Sequence, residues 1–165
     1  MKFRKSGIAV LAITIAICIA PAPSFAGDKE KSAVDLSPEL MTLLKAEMGA
    51  LGNGIQSVAL SIATADWKAV NETAKKMHAS YIMKKSLTPA QSLELRQKLP
   101  SEFKRLDMEF HARAKQLAQA TESPDPELIA FRYSRLVEGC ANCHSVFASK
   151  RFPGFEYQPK NQNQH

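Results

Sequence analysis

The residues best able to do chemistry in this chain stand together near its end, as Cys140-Ala141-Asn142-Cys143-His144. C-x-x-C-H is the pattern through which haem is attached covalently to a polypeptide. On a helical turn, two thiols three residues apart can each reach one vinyl group of the porphyrin, while the adjacent imidazole swings beneath the ring to ligate iron. Two other chemistries use Cys-x-x-Cys. A thioredoxin-like redox pair needs a strand-turn-helix context, and no alternating β pattern precedes Cys140. A closed structural zinc site needs four ligands, and no second cysteine pair exists. The pentapeptide therefore points to one haem c per chain, with thioethers from Cys140 and Cys143 and with His144 as the proximal axial ligand.

The N-terminus supports that reading. Lys2, Arg4 and Lys5 precede an apolar run from Gly7 to Ala20, followed by Pro21, Pro23 and the small-x-small sequence Ser24-Phe25-Ala26. This is the layout of a secretory signal peptide over residues 1–26. The run falls short of the roughly 20 residues that span a bilayer, so no stable membrane anchor is expected after cleavage near Ala26. Cys18 would leave with the leader. Ile17 stands before it, where a lipoprotein signal wants a small residue. The exported chain would keep only Cys140 and Cys143, in a compartment where unused thiols are oxidised. The net charge of +6 includes the three leader cations and no leader acid, so the exported chain carries +3. That is too mild for nucleic acid, and no basic run with interleaved aromatics appears. A modest positive balance suits acidic partner surfaces.

One domain is expected over residues 27–157, followed by a polar, flexible tail at 158–165. Its periodicity is helical almost throughout. Ser37-Pro38 reads as a cap with proline in the first turn. It is followed by a stripe of Leu40, Leu44, Met48, Leu51, Ile55, Val58 and Ile62 running to about Ala63. Gly49, Gly52 and Gly54 would either kink this helix or let a backbone or flat macrocycle approach it. Asp66 caps a second helix from Trp67 to about Lys85, with Trp67, Val70, Ala74, Met77, Tyr81 and Ile82 facing inward. Thr88-Pro89 opens a short helical turn or loop segment that Pro100 interrupts. A third main helix spans Ser101 to Ala120, with Phe103, Leu106, Phe110, Ala114 and Leu117 inward. Asp125-Pro126 opens the fourth, which carries Leu128, Phe131, Leu136, Cys140, Cys143 and Phe147 and fades before Pro153-Gly154. Four such helices joined by short connections predict an all-α, antiparallel four-helix bundle that holds its cofactor between facing helices.

An exported helical chain of this length, with C-x-x-C-H in its last helix, resembles the cytochrome c prime family, the class II c-type cytochromes. Class I members carry the motif near the N-terminus. The spacing of Phe103-Lys104, Phe110 and Leu117 is similar to the family's third helix, and Met41-Thr42-Leu43-Leu44 followed by Gly49 is similar to its first. The resemblance implies two functional forms, separated by the distal residue on the first helix. An apolar residue there implies five-coordinate, high-spin iron open to nitric oxide or carbon monoxide. A methionine implies a filled sixth site, and the register places Met41 there. His/Met ligation raises the reduction potential and keeps six ligands in both oxidation states, which suits an electron carrier.

Each candidate has a plainer reading. Methionines fill irregular cores, and Met48, Met77, Met83 and Met108 are also present, with Met48 the next candidate, seven residues along the same side of the helix. His78 and His111 lie beside their helices' apolar stripes and read as surface histidines. Over the iron, either would instead serve a peroxidase as acid-base residue. Family members commonly carry a basic residue four places after the haem histidine; here that residue is Ala148, with Lys150 and Arg151 further on. Arg132, Arg135, Lys150 and Arg151 are candidates for pairing with haem propionates. The resemblance also implies homodimers through the first two helices, where Gly49, Gly52 and Ala59 would permit close approach. The expected protein is thus a periplasmic monohaem cytochrome passing single electrons between redox partner proteins, and not an enzyme.

Overall fold

In the computed structural model, residues 34–80, 83 and 87–155 are described. The leader at 1–26, Tyr81, Ile82 and the tail at 158–165 lie outside them. The described chain is all-helical: α1 Pro38–Ala63, α2 Trp67–Ala79, α3 Pro89–Lys98, α4 Ser101–Ala120 and α5 Pro126–Phe147, with a 3₁₀ turn at Pro153–Phe155. No helix among these residues is long and apolar enough to cross a membrane.

The helix starts follow local chemistry. Proline stands in the first turn of α1, α3 and α5, where a missing N–H costs nothing. Asp125 accepts hydrogen bonds from the backbone of Glu127 (2.9 Å) and Leu128 (3.2 Å). Asp66 accepts one from Ala69 (3.0 Å). Thr88 and Gln91 form a reciprocal capping box. Ser37 makes no side-chain cap; its N–H instead donates to Glu94 Oε1 of α3 at 2.8 Å.

α1 runs unbroken through its glycines, and among the described residues nothing beyond the helix's own adjoining backbone lies within 4 Å of where a Cβ would stand at Gly49 or Gly52. Neither the expected kink nor a close approach is found at those two positions among the described residues. The buried face is Glu47, Leu51, Gly54, Val58 and Ser61, spaced by four and three, which turns Met48 outward to 39% exposure. α2 ends six residues earlier than its periodicity predicts, because Ser80 adopts φ 63°, a left-handed conformation that halts the helix. Segment 89–98, expected as a short helical turn or loop, is a ten-residue helix without a fully buried residue. On α5 the expected inward residues Leu128 and Phe131 are exposed at 39% and 53%, and Ile129 is buried in their place. One residue of helical phase accounts for the exchange.

α1 packs on α2, α2 on α4 and α4 on α5, and α5 returns to α1 across a thinner seam, closing a four-helix bundle. The core joins Leu51 and Val58 of α1, Val70, Ala74 and Met77 of α2, Phe110, Ala114 and Leu117 of α4, and Ile129 and Leu136 of α5. Asn71 Nδ2 donates to Ala118 O (2.9 Å) and Thr121 Oγ1 (2.8 Å), fixing the start of α2 against the end of α4 in antiparallel sense. Across the thin seam Tyr133 Oη donates to Ile55 O at 3.2 Å. The bundle therefore brings the first half of α1, the end of α2, the start of α4 and the end of α5 to one end.

Candidate haem site

Cys140, Cys143 and His144 lie on the last two turns of α5, held there by the Asp125 cap and by burial of Ile129 and Leu136. Both thiols are free and half-buried. Cys140 packs against the core, and its Sγ lies 3.9 Å from Leu136 O. Burial raises the pKa of both thiols above the usual thiol value. For Cys143 the Asp107 carboxylate and the Cys140 sulfur add to the effect of burial and push it to about 11. Gly139 lies where α4 comes close: a Cβ there would meet Phe110 at 3.4 Å and Arg113 at 3.8 Å.

A cleft of about 180 Å³ opens between α1 and α4, and none of Cys140, Cys143 and His144 lines it. α1 contributes Leu44, Glu47, Met48 and Leu51, and α4 contributes Phe103, Asp107 and His111. Leu36, Ser80, Met83, Leu87, Leu95 and Leu99 complete the wall. Phe103 and Asp107 link cleft to motif: the Phe103 ring meets Phe147 edge-on at 5.2 Å between centroids, and the Asp107 carboxylate acts on Cys143.

His144 has its pKa lowered by burial and then by the positive charge of Arg151, so the neutral, ligating form is favoured. Its ring stacks on Phe152 at 4.8 Å with 29° between planes. Hydrogen bonds from the N–H groups of Arg151 and Phe152 to Ala148 O, at 2.9 and 3.0 Å, fold the chain back to make this possible. Arg151 thus brings to the imidazole the positive charge that Ala148 lacks. Among the other cationic candidates, Arg135 is paired with Glu138, and Arg132 donates to Gln116 Oε1 at 3.0 Å. Lys150 and Arg151 are exposed, with no ion pair among the described residues.

Met41 is half-buried beside fully buried Leu40 and is not among the cleft-lining residues, whereas Met48 is. The two histidines are not the surface groups expected. His78 Nδ1 lies 3.0 Å from His111 O, and His111 Nδ1 lies 2.7 Å from Met77 O. A carbonyl only accepts, so each Nδ1 carries a proton. His111 Nε2 lies 3.5 Å from Asp107 Oδ1. Sequence reading also missed Glu47, which is 3% exposed and accepts from Ser80 Oγ (2.9 Å) and Met83 N–H (3.2 Å). Its signal was a carboxylate inside an apolar stripe, between Leu44 and Leu51. Nothing local marked Phe152.

The donor set fits covalent haem. Two unbridged thiols at helical spacing and a neutral imidazole share the end of α5, Asp107 acts on Cys143 and also lines the cleft, and no group of three His, Cys, Asp or Glu gathers as a rival metal site among the described residues. No curated protein and no solved structure gives a significant match to the chain. A family match covers residues 32–148, from just before α1 to the end of the haem motif, and by it the chain belongs to the Cytochrome C' family.

Proposed function

We propose that this protein is a periplasmic carrier of single electrons, with its iron held between His144 and a methionine of α1. Membership of the family already implies a c-type cytochrome with covalently bound haem. Cys140 and Cys143 would anchor the haem, and His144, kept neutral by burial and Arg151, would offer its imidazole. The haem supplies a one-electron iron couple at a potential set by its axial ligands. The chain's own part is to hold those ligands still and keep water away, and the apolar cleft wall serves the second task.

The observation that carries the reading is a thioether at the cleft. Met48 lines it, while Met41 stands at the position that the resemblance assigns to the distal ligand. A filled sixth site leaves no open position for turnover. The alternative is five-coordinate iron binding nitric oxide or carbon monoxide. It draws support from the cleft's aliphatic lining of Leu36, Leu44, Leu51, Leu95 and Leu99, which suits a small apolar ligand.

The test is the absorption spectrum of the haem-loaded protein, oxidised and reduced, for the wild type, Met41→Ala and Met48→Ala. Methionine ligation gives a low-spin spectrum with a weak long-wavelength sulfur-to-iron band, lost in the variant that removes the ligand. A high-spin wild-type spectrum with ready carbon monoxide binding would establish the gas-binding alternative.

A further inference from the structure

The chain from Gly139 to Phe155 contains no aspartate or glutamate, yet it carries Lys150 and Arg151. Elsewhere many cations are neutralised locally: Lys98 by Glu94, Arg105 by Glu102 and Glu109, Arg113 by Glu109 and Glu138, and Arg135 by Glu138. Beside Lys150 and Arg151, which have no ion-pair partner among the described residues, stand Phe152 and Phe155, exposed at 38% and 39%. Phe152 has one face on the His144 imidazole and the Arg151 guanidinium 5.8 Å from its ring centroid. The turn is ordered by hydrogen bonds from Phe152 N–H to Ala148 O and from Phe155 N–H to Phe152 O, each 3.0 Å.

We propose that the exposed turn Lys150–Phe155 is the face on which an acidic redox protein docks, with Lys150 and Arg151 meeting its carboxylates and Phe152 joining the interface to the His144 ring. This rests on the electron-carrier reading above. An apolar centre flanked by unpaired charge is the anatomy of a steered, short-lived encounter: charge draws the partner in and the rings make close contact. Phe152 is a positioning residue, holding the imidazole plane on one side and presenting the contact on the other. One electron crosses per encounter, lost by one centre and gained by the other, with no bond made or broken.

The probe is hexacyanochromate(III), a redox-inert paramagnetic trianion that stands in for a carboxylate cluster, added to the isotope-labelled, haem-loaded full chain. Mass and absorption spectrum are taken first, so absence of covalent haem is recognised separately; it would sink the carrier reading and this proposal with it. The expected result is broadening of backbone resonances centred on residues 150–155 and weakened about fivefold or more in Lys150→Glu/Arg151→Glu. The charge-matched Lys68→Glu/Lys75→Glu, on α2 diagonally across the bundle, should leave it unchanged. Phe152→Leu should keep the broadening but alter the resonances of the His144 ring. Broadening spread evenly over all lysines, an unchanged double variant, or burial of this face in a dimer detected by sedimentation would each overturn the proposal.

Discussion

At the scale of single residues, the C-x-x-C-H pattern was legible because its information is local: five consecutive residues carry the expectation of haem attachment. Their environment was not. The elevated pKa of Cys143 depends on Asp107, which a different helix brings to it. In the chain before haem attachment, a shift from the usual 9 to about 11 leaves about 100-fold less thiolate at neutral pH. Iodoacetamide should therefore modify Cys143 about 100-fold more slowly in the folded haem-free chain than in denaturant at about pH 8. Equal rates would mean that the haem-free fold does not bury the thiol. The sign for His144 is the reverse of a stabilised cation. Its folded pKa lies below the ordinary 6.5, so on acidification the unfolded chain takes up the proton first. The haem-free fold should lose stability as pH falls below about 6.5, the loss growing until the lowered folded value is passed. Denaturant midpoints on either side of that window check it, with His144→Gln removing this part of the dependence.

At the scale of elements, helix starts were readable and one helix end was not. Asp125-Pro126 announces α5 with its own side chain, whereas α2 stops at Ser80, whose hydroxyl is held by Glu47, thirty-three residues away. No local pattern could reveal that partner. The same contrast separates two serviceable caps: Asp125→Ala should cost about 1 kcal/mol, while Ser37→Ala, which removes no side-chain cap, should cost a few tenths at most. The phase of α5 was misread because Leu128 and Phe131 look like core and Ile129 equally so; only packing against α4 decides. α1 offers a sharper test. The space around Gly49 and Gly52 is open, so Gly52→Ala should stabilise the protein by about 1 kcal/mol in denaturant unfolding. A loss instead would mean that another molecule, a second copy or the haem, presses on that face.

At the scale of the whole molecule, the four-helix class was legible from four long apolar stripes, but the cleft was not, since it is made by helices far apart in the chain. What stitches α4 to α5 is Arg113. It donates to Arg135 O at 2.5 Å and bridges Glu109 and Glu138, although only 10% of its side chain is exposed. Its neighbour Arg105 makes similar pairs in open solvent. Arg113→Ala should destabilise by about 1–3 kcal/mol, because a partly buried carbonyl loses its donor, while Arg105→Ala should leave the denaturant midpoint where it was. Arg113 also holds the Glu109 carboxyl below the usual carboxylate range, so that part of the stability is present above pH 4.5 and is lost as pH falls through the lowered value.

The Tyr133 hydrogen bond to Ile55 gives the bundle an order of assembly. It joins residues 78 apart across the thinnest seam, while α1 with α2 and α4 with α5 are neighbours in sequence as well as in space. Contacts that close long loops form late, so the two hairpins should meet before α1 latches onto α5. Until that latch engages, Cys140, which packs into the core, remains open to whatever loads the haem. Tyr133→Phe should then speed unfolding and leave the folding rate nearly unchanged in stopped-flow measurements, the signature of a clasp fastened last.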